Sequence, residues 1–398
     1  MKVALVSETA VCPTTSGARL RILHLLLPLA GRHEITLIYR ASTQAEIDAT
    51  RAELEPRGVK LVPVLDPVPA KKGLSFYARL AANVFSSRPY NVASHDSPGV
   101  RDAIRRVAAG GIELWQLEWI AYADAVRAVS KAPLLVTAHD VVSTIWQRHH
   151  ETARGFLKRW YVYQQWKKVE AFERRVYADV DCAIAVSDDD ARRLREMYGA
   201  RRVEVVDNGV DFAAHAAIER RPEPRTVLYV GALDSRPNQD AAVALLDDVL
   251  PTLRKVYPDV RLQLVGRGPP DWLTHRCQRT SGVELHADVP DVKPFLARAS
   301  VLAVALRVGG GSRLKILEAF AAGLPVVSTR VGAEGLHVAD GRELLLADGP
   351  RDLVPAIEQV WDDPAGADAR AAAGRELARS RYDWESLAGR LERVWLDI

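Results

Sequence analysis

Cysteine is scarce in this chain of 398 residues, where Cys12, Cys182 and Cys277 are the whole set. Three thiols, odd in number and far apart, make no disulfide framework, and none has C-x-x-C or Cys/His metal spacing. A disulfide-built secreted domain and a structural zinc are excluded, and a reducing cytoplasm is the expected compartment. A dominant sign of charge is lacking too: 54 basic and 51 acidic side chains nearly cancel to +3, without a long block of either sign. Nucleic acid and other polyanions are therefore not expected partners. Long apolar runs are missing. "ILHLLLPLAG" is too short to span a bilayer, and "MKVALVSETAV" turns polar too soon for a signal peptide. Any membrane contact is expected to be peripheral, at the inner face. There is no repeat at a solenoid period and no low-complexity segment. Nor is there a G-x-x-x-x-G-K-[ST] loop, and neither half opens with G-x-G-x-x-G, which disfavours an NTPase or a dinucleotide oxidoreductase.

What the chain does have is alternation. Short runs rich in β-branched residues, "KVALVS", "EITLIYR", "ELWQLE", "PLLVTAH", "CAIAVS" and "VEVVDNG", and then "TVLYVG", "RLQLVG", "VLAVAL" and "PVVSTR", are separated by helix-like segments. This pattern predicts parallel sheets covered on both faces. The two series are divided by a linker at about 211–225, without strand period and with two prolines near its end. The expected architecture is α/β: two doubly wound Rossmann-like domains facing across a cleft, over residues 1–212 and 213–378. Residues 379–398 follow as a terminal helix that packs back toward the first domain. In that tail Trp384, Leu387, Leu391, Val394 and Trp395 fall broadly on one side, the mark of a packing helix. Doubly wound units bind ligands outside the carboxyl ends of their strands, so two units predict an interdomain site.

One stretch, "VGGGSRLKILEAFAAG", concentrates chemistry. Gly309, Gly310 and Gly311 can bring bare backbone amides close to a ligand, and Ser312 is a candidate N-cap for a helix over about 313–322, closed by Gly323 and Pro325. Lys315 and Glu318, three apart, share one face. Arg313 falls in the first turn, where a cation opposes the helix dipole unless an anion repays it. The plainer reading is a solvated turn in which Lys315 pairs with Glu318.

These residues carry a resemblance. "GGGSRLKILEAFAAGLPVVSTRVGAEGL", with "VGALDSRPNQDAA", "LVGRGP", "ADVDCAIAVSDDDARRL" and "VEVVDNGVD", resembles the retaining glycosyltransferases of family 4, which have the GT-B fold. The likeness extends from "SGARLRILHLLLPLAGRHEITLI" to the terminal helix and is strongest from Val227 to Leu336. It implies a nucleotide-sugar donor held mainly by the second domain and an acceptor, saccharide or lipid-linked, on the first. Glu318 matches the second glutamate of the family's Glu-x7-Glu motif, which implies contact with the ribose hydroxyls. The first glutamate would fall at Gly310. The family's usual arginine and lysine in the first loop of the second domain would fall at Ala232 and Pro237, and the cations stand instead at Arg313 and Lys315. No cofactor is implied beyond the nucleoside diphosphate sugar as substrate, and no metal.

Other positions join the candidate set. His139 follows the strand "LLVTA", and in the family such a loop commonly lies beside the transferred sugar; a histidine packed at a strand end is the alternative. Asp140 is a candidate cap. Gly17, in the first loop, lets a diphosphate or acceptor approach, or simply makes a turn. Arg236 and Asn238 follow the first strand of the second domain, Asn238 also as a helix cap, while Arg267 and Glu334 stand in later loops. Asp188 to Asp190 read as an acidic helix start rather than a metal site. The aromatic and basic segment 155–177 reads as a core-packing amphipathic helix or as a surface for a lipid leaflet, the first favoured.

The leading expectation is transfer of a sugar from a nucleoside diphosphate sugar to a hydroxyl with retention, in surface polysaccharide or glycolipid synthesis. A sugar-nucleotide epimerase and an inactive homologue acting as a binding subunit are the alternatives.

Overall fold

The structure, a computed structural model, describes residues 1–14, 16–69, 72–308 and 313–398. It divides into two compact units, Met1–Asp207 with Leu387–Ile398, and Asn208–Ser386. The first is built on seven strands: β1 (Lys2–Ser7), β2 (Glu34–Ala41), β3 (Lys60–Leu65), β4 (Leu114–Leu117), β5 (Leu134–Ala138), β6 (Cys182–Ala185) and β7 (Val203–Val205). The second has six: β8 (Thr226–Val230), β9 (Arg261–Gly266), β10 (Val283–Ala287), β11 (Val301–Val304), β12 (Val326–Thr329) and β13 (Leu345–Ala347).

Every pairing between these strands is parallel, and the orders are β3-β2-β1-β4-β5-β6-β7 and β10-β9-β8-β11-β12-β13. Both sheets are doubly wound, and each reverses its strand order once, between β1 and β4 and between β8 and β11. Parallel sheets need helices on both faces, which is why the central strands are covered throughout: β4, β5 and β11 are buried at every residue. β3, β10 and β13 did not stand out in the sequence. All three are edges of their sheets, and the first two are only half-buried.

The linker expected at 211–225 starts too late. Val210 N donates to Tyr382 O at 2.8 Å and Trp384 N to Val210 O at 3.3 Å, and Phe212–Ala216 is already a helix. These ties draw both crossing segments into the second unit, so its bounds are 208 and 386 rather than 213 and 378. The terminal helix Trp384–Leu396 buries Trp384, Leu387, Leu391, Val394 and Trp395. From Leu387 on it belongs to the first unit. There Glu392 meets His33 at 2.8 Å, and Trp395 packs edge-on to the same ring, with centroids 5.4 Å apart.

Candidate functional site

At the reversal in the second sheet, the loops after β8 and β11 carry most of the candidate residues, as doubly wound topology dictates. Gly309, Gly310, Gly311 and Ser312 lie outside the described residues. Arg313 is not in the first turn of a helix. It precedes the helix Leu314–Ala321 in the left-handed conformation, φ 49° and ψ 23°. A non-glycine residue is held there at a cost of roughly 1–2 kcal/mol. The side chain supplies the compensation: Nη2 donates to Val331 O at 2.8 Å, Nε to Glu334 O at 3.3 Å, and the guanidinium lies 3.5 Å from the Glu334 carboxylate. Arg313 is thus buried and committed to the loop after β12, with Glu334 as its partner.

Lys315 is differently placed. Its Nζ donates to Asn238 Oδ1 at 3.0 Å and to Tyr229 OH at 3.2 Å, and lies 4.3 Å from the centre of the Tyr229 ring. Tyr229 OH in turn donates to Asn238 Oδ1 at 2.7 Å, and Asn238 Nδ2 to Ala232 O at 2.9 Å. No carboxylate lies within ion-pair distance of this ammonium among the described residues, so it does not pair with Glu318. Burial, reinforced by the charge of Arg313 and opposed by Glu318, pulls Lys315 down to about 7. Burial pushes the Tyr229 phenol far up, so it stays neutral. Burial also raises Glu318, against His215 and Lys315 and aided by Asp291.

Two glycines make room for this. A Cβ on Gly231 would come within 2.9 Å of both Lys315 Nζ and Asn238 Oδ1, and one on Gly266 would stand 1.7 Å from Gly231 O. The remaining polar candidates spread outward. Asn238 is not the cap of its helix, Arg236–Ala244; that position is Ser235. Arg236 is exposed and makes no ion pair among the described residues. Arg267 is exposed and pairs with Asp234 at 3.1 Å, the behaviour of a loop arginine.

In the first sheet the reversal falls between β1 and β4. Gly17 opens the helix Gly17–Leu29, capped by Ser16, and from that helix Arg21 is buried, donating to the carbonyls of Asp207 at 2.6 Å and Val206 at 2.8 Å. Burial pulls Arg21 down to about 10 against the nearby charges of Glu118 and Asp207. Glu118 directly follows β4 and His139 directly follows β5, and His139 Nε2 bonds Glu118 Oε2 at 3.0 Å. The other oxygen of Glu118 accepts from Gln116 Nε2 at 2.6 Å, and Gln116 Oε1 accepts from Trp395 Nε1 at 2.7 Å. A buried chain of hydrogen bonds therefore runs from the terminal helix to His139. Burial raises the Glu118 carboxyl, but the bonds from His139 and Gln116 and the charge of Arg21 outweigh it, and the net shift is downward. An ionised acceptor fixes the His139 proton on Nε2 and leaves Nδ1 for other partners.

Asp140 does not cap the next helix. Val142–Thr152 is capped by the buried Glu173 carboxylate, which accepts from Val142 N at 2.8 Å and Ser143 N at 3.1 Å. Asp188 to Asp190 form the first turn of Asp188–Tyr198 behind the Ser187 cap. Among the described residues no group of three His, Cys, Asp or Glu side chains could hold a metal.

Glu118, Arg21, Tyr229, Gly231 and Gly266 were not picked out from the sequence as site residues. Four of the five sit at or just beyond the carboxyl end of a strand, and that position was the signal available.

Two family models match: Glycosyltransferase Family 4 over residues 15–214 and Glycosyl transferases group 1 over residues 224–363. The glycogen synthase of Mycobacterium tuberculosis is 30% identical over 312 residues, 75% of this chain and 73% of that protein. Among solved structures, sucrose-phosphate synthase from Thermosynechococcus elongatus superposes with a TM-score of 0.72 at 18% identity, covering 100% of this chain and 98% of the other. Anabaena HepE in complex with UDP-glucose superposes at 0.68 and 15%, with 100% of both chains covered. These likenesses show the fold, GT-B.

Proposed function

The chain belongs to glycosyltransferase family 4, and from that premise we propose that it moves a glycosyl unit from a nucleoside diphosphate sugar to a hydroxyl acceptor with retention at the anomeric carbon. Its place is in building a surface polysaccharide or glycolipid. The observation that carries this reading is Lys315, a desolvated lysine with no carboxylate at ion-pair distance among the described residues, held by Asn238 and Tyr229 at the glycine-lined carboxyl edge of the second sheet. Such a cation is built to receive an anion. The UDP-glucose bound to HepE, which has the same fold, supports a nucleoside diphosphate as that anion.

In the reaction the bond from the anomeric carbon to the diphosphate oxygen breaks, and the leaving group departs with the electron pair. The acceptor oxygen takes the anomeric carbon and gives up its proton. Charge growing on the diphosphate is what Lys315 meets, with Arg313 behind it and the amides of Gly309, Gly310 and Gly311, beside Ser312, as further donors. Glu318 is assigned to the ribose hydroxyls, and Gly17, Arg236, Asn238, Arg267 and Glu334 to the donor's surroundings. Arg313 and Glu334 act through one another, and Asn238 acts by holding Lys315. His139, oriented by Glu118, is assigned to the transferred sugar.

A panel of nucleotide sugars, read first as thermal stabilisation and then as nucleotide release, tests the reading; stabilisation by none of them would overturn it. A charged hydrogen bond contributes about 1.5–3 kcal/mol, so Lys315→Ala is expected to lower turnover by roughly ten- to a hundredfold at saturating donor. Unchanged turnover would remove Lys315 from the machinery.

A further inference from the structure

The aromatic and basic segment 155–177 divides along its length. From Val162 onward the helix Phe156–Asp179 is anchored inward, burying Val169, Phe172, Val176 and Tyr177. Before that point the core reading fails, because every residue from Arg154 to Trp160 faces solvent. Phe156 is 83% exposed and Leu157 77%. The helix Gly73–Val84, in the same unit, adds Leu74 at 90% and the following Phe85 at 93%. These are the four most exposed large apolar side chains among the described residues. The two helices are joined: Gln165 Nε2 donates to Asn83 Oδ1 at 2.9 Å, and Lys168 Nζ to the carbonyls of Asn83 and Val84 at 2.8 and 3.0 Å. Phe156, Leu157 and Trp160, exposed within five residues of one helix, mark an interaction surface.

Its charge says what the surface meets. Lys72, Arg148, Arg154, Lys158 and Arg159 are exposed and make no ion pair among the described residues. From Val142 to Lys168 Glu151 is the only carboxylate, in a chain whose charges otherwise nearly cancel. A second copy packed on this face by a twofold axis would set these cations against themselves. Exposed aromatics interleaved with unpaired cations instead match a bilayer whose headgroups are negative.

We propose that this face docks on an anionic lipid bilayer. Phe156, Leu157 and Trp160 enter the boundary between headgroups and acyl chains, and Lys158 and Arg159 meet the lipid charge. The proposal does not depend on the donor chemistry, since docking is read without a sugar nucleotide.

The test is sedimentation of the full chain with vesicles of phosphatidylcholine alone and of phosphatidylcholine mixed with phosphatidylglycerol. Binding to the mixed vesicles only, weakened by added salt, is expected. A basic side chain near such a leaflet contributes about fivefold, so Lys158→Glu with Arg159→Glu should weaken binding more than tenfold. Phe156→Ser with Leu157→Ser should also release the protein while leaving its unfolding temperature in place, because neither side chain is part of a core. Absence of binding to the mixed vesicles, equal binding to neutral ones, or wild-type binding by both double variants overturns the proposal. So does sedimentation velocity showing a wild-type dimer that the same variants dissociate.

Discussion

Lys315 occupies a place where a cation is expensive, and its two neighbours lower that cost only in part. Asn238 and Tyr229 offer oxygen and a ring face, but no negative charge. With Lys315 pulled down to about 7, the ammonium is largely neutral at pH 8 in the free protein. An anionic ligand restores its charge, so binding takes up a proton. Calorimetry of nucleoside diphosphate binding at pH 8, in two buffers of different ionisation enthalpy, should show proton uptake, with affinity falling as pH rises above about 7. In Lys315→Arg, where the charge is permanent, the uptake should vanish. The sequence showed the lysine but not its setting, because Tyr229 and Asn238 lie 86 and 77 positions away in the chain and meet it only through the fold. It also suggested a free cation at Arg313. The left-handed backbone there, together with carbonyls from residues 331 and 334, is a tertiary outcome that no local pattern announces.

Elements were more legible than contacts. Ten strands declare themselves as apolar runs, nine of them central parallel strands buried on both faces and the tenth the edge strand β7. β3, with Lys60 and Pro63 in its run, and β10, with Glu284 and His286, do not, since an edge strand keeps one side toward water. The start of the helix Val142–Thr152 was hidden for another reason: its cap comes from Glu173, thirty residues further on. Burial pushes Glu173 up to about 7 against the bonds from Ser143 and Val142. The folded pKa lies above the ordinary 4.5, so this group's stabilisation is complete below pH 4.5 and is lost as pH rises through about 7. The difference amounts to at most about 3 kcal/mol. Thermal unfolding compared at pH 5 and pH 8 should show this dependence in the wild type and a weaker one in Glu173→Gln.

At the scale of the molecule, the amphipathic tail was legible as a packing helix, but its chemical connection was not. Trp395 both fills the first unit's core and donates to Gln116, which holds Glu118, which holds His139. Trp395→Ala should cost the first unit about 3–5 kcal/mol, as large-to-small core changes do. Trp395→Phe, which keeps the bulk but leaves Gln116 Oε1 buried without a donor, should cost about 1–3 kcal/mol. Denaturant unfolding of the full chain checks both, and the transition of the second unit should stay where it is. The domain limits themselves were five to eight residues off in the sequence, since the pairing of Val210 with residues 382–384 leaves no trace in composition.

The return of Leu387–Ile398 to the first unit also orders events in time. A chain is made from its first residue to its last, so residues 1–207 leave the ribosome lacking one of their own core helices. The second unit is continuous from 208 to 386, whereas the first needs a helix that the chain supplies only after the second unit has been made. The half of the protein made first is thus completed last, and until Trp395 arrives the carboxylate that orients His139 waits on a partner not yet translated.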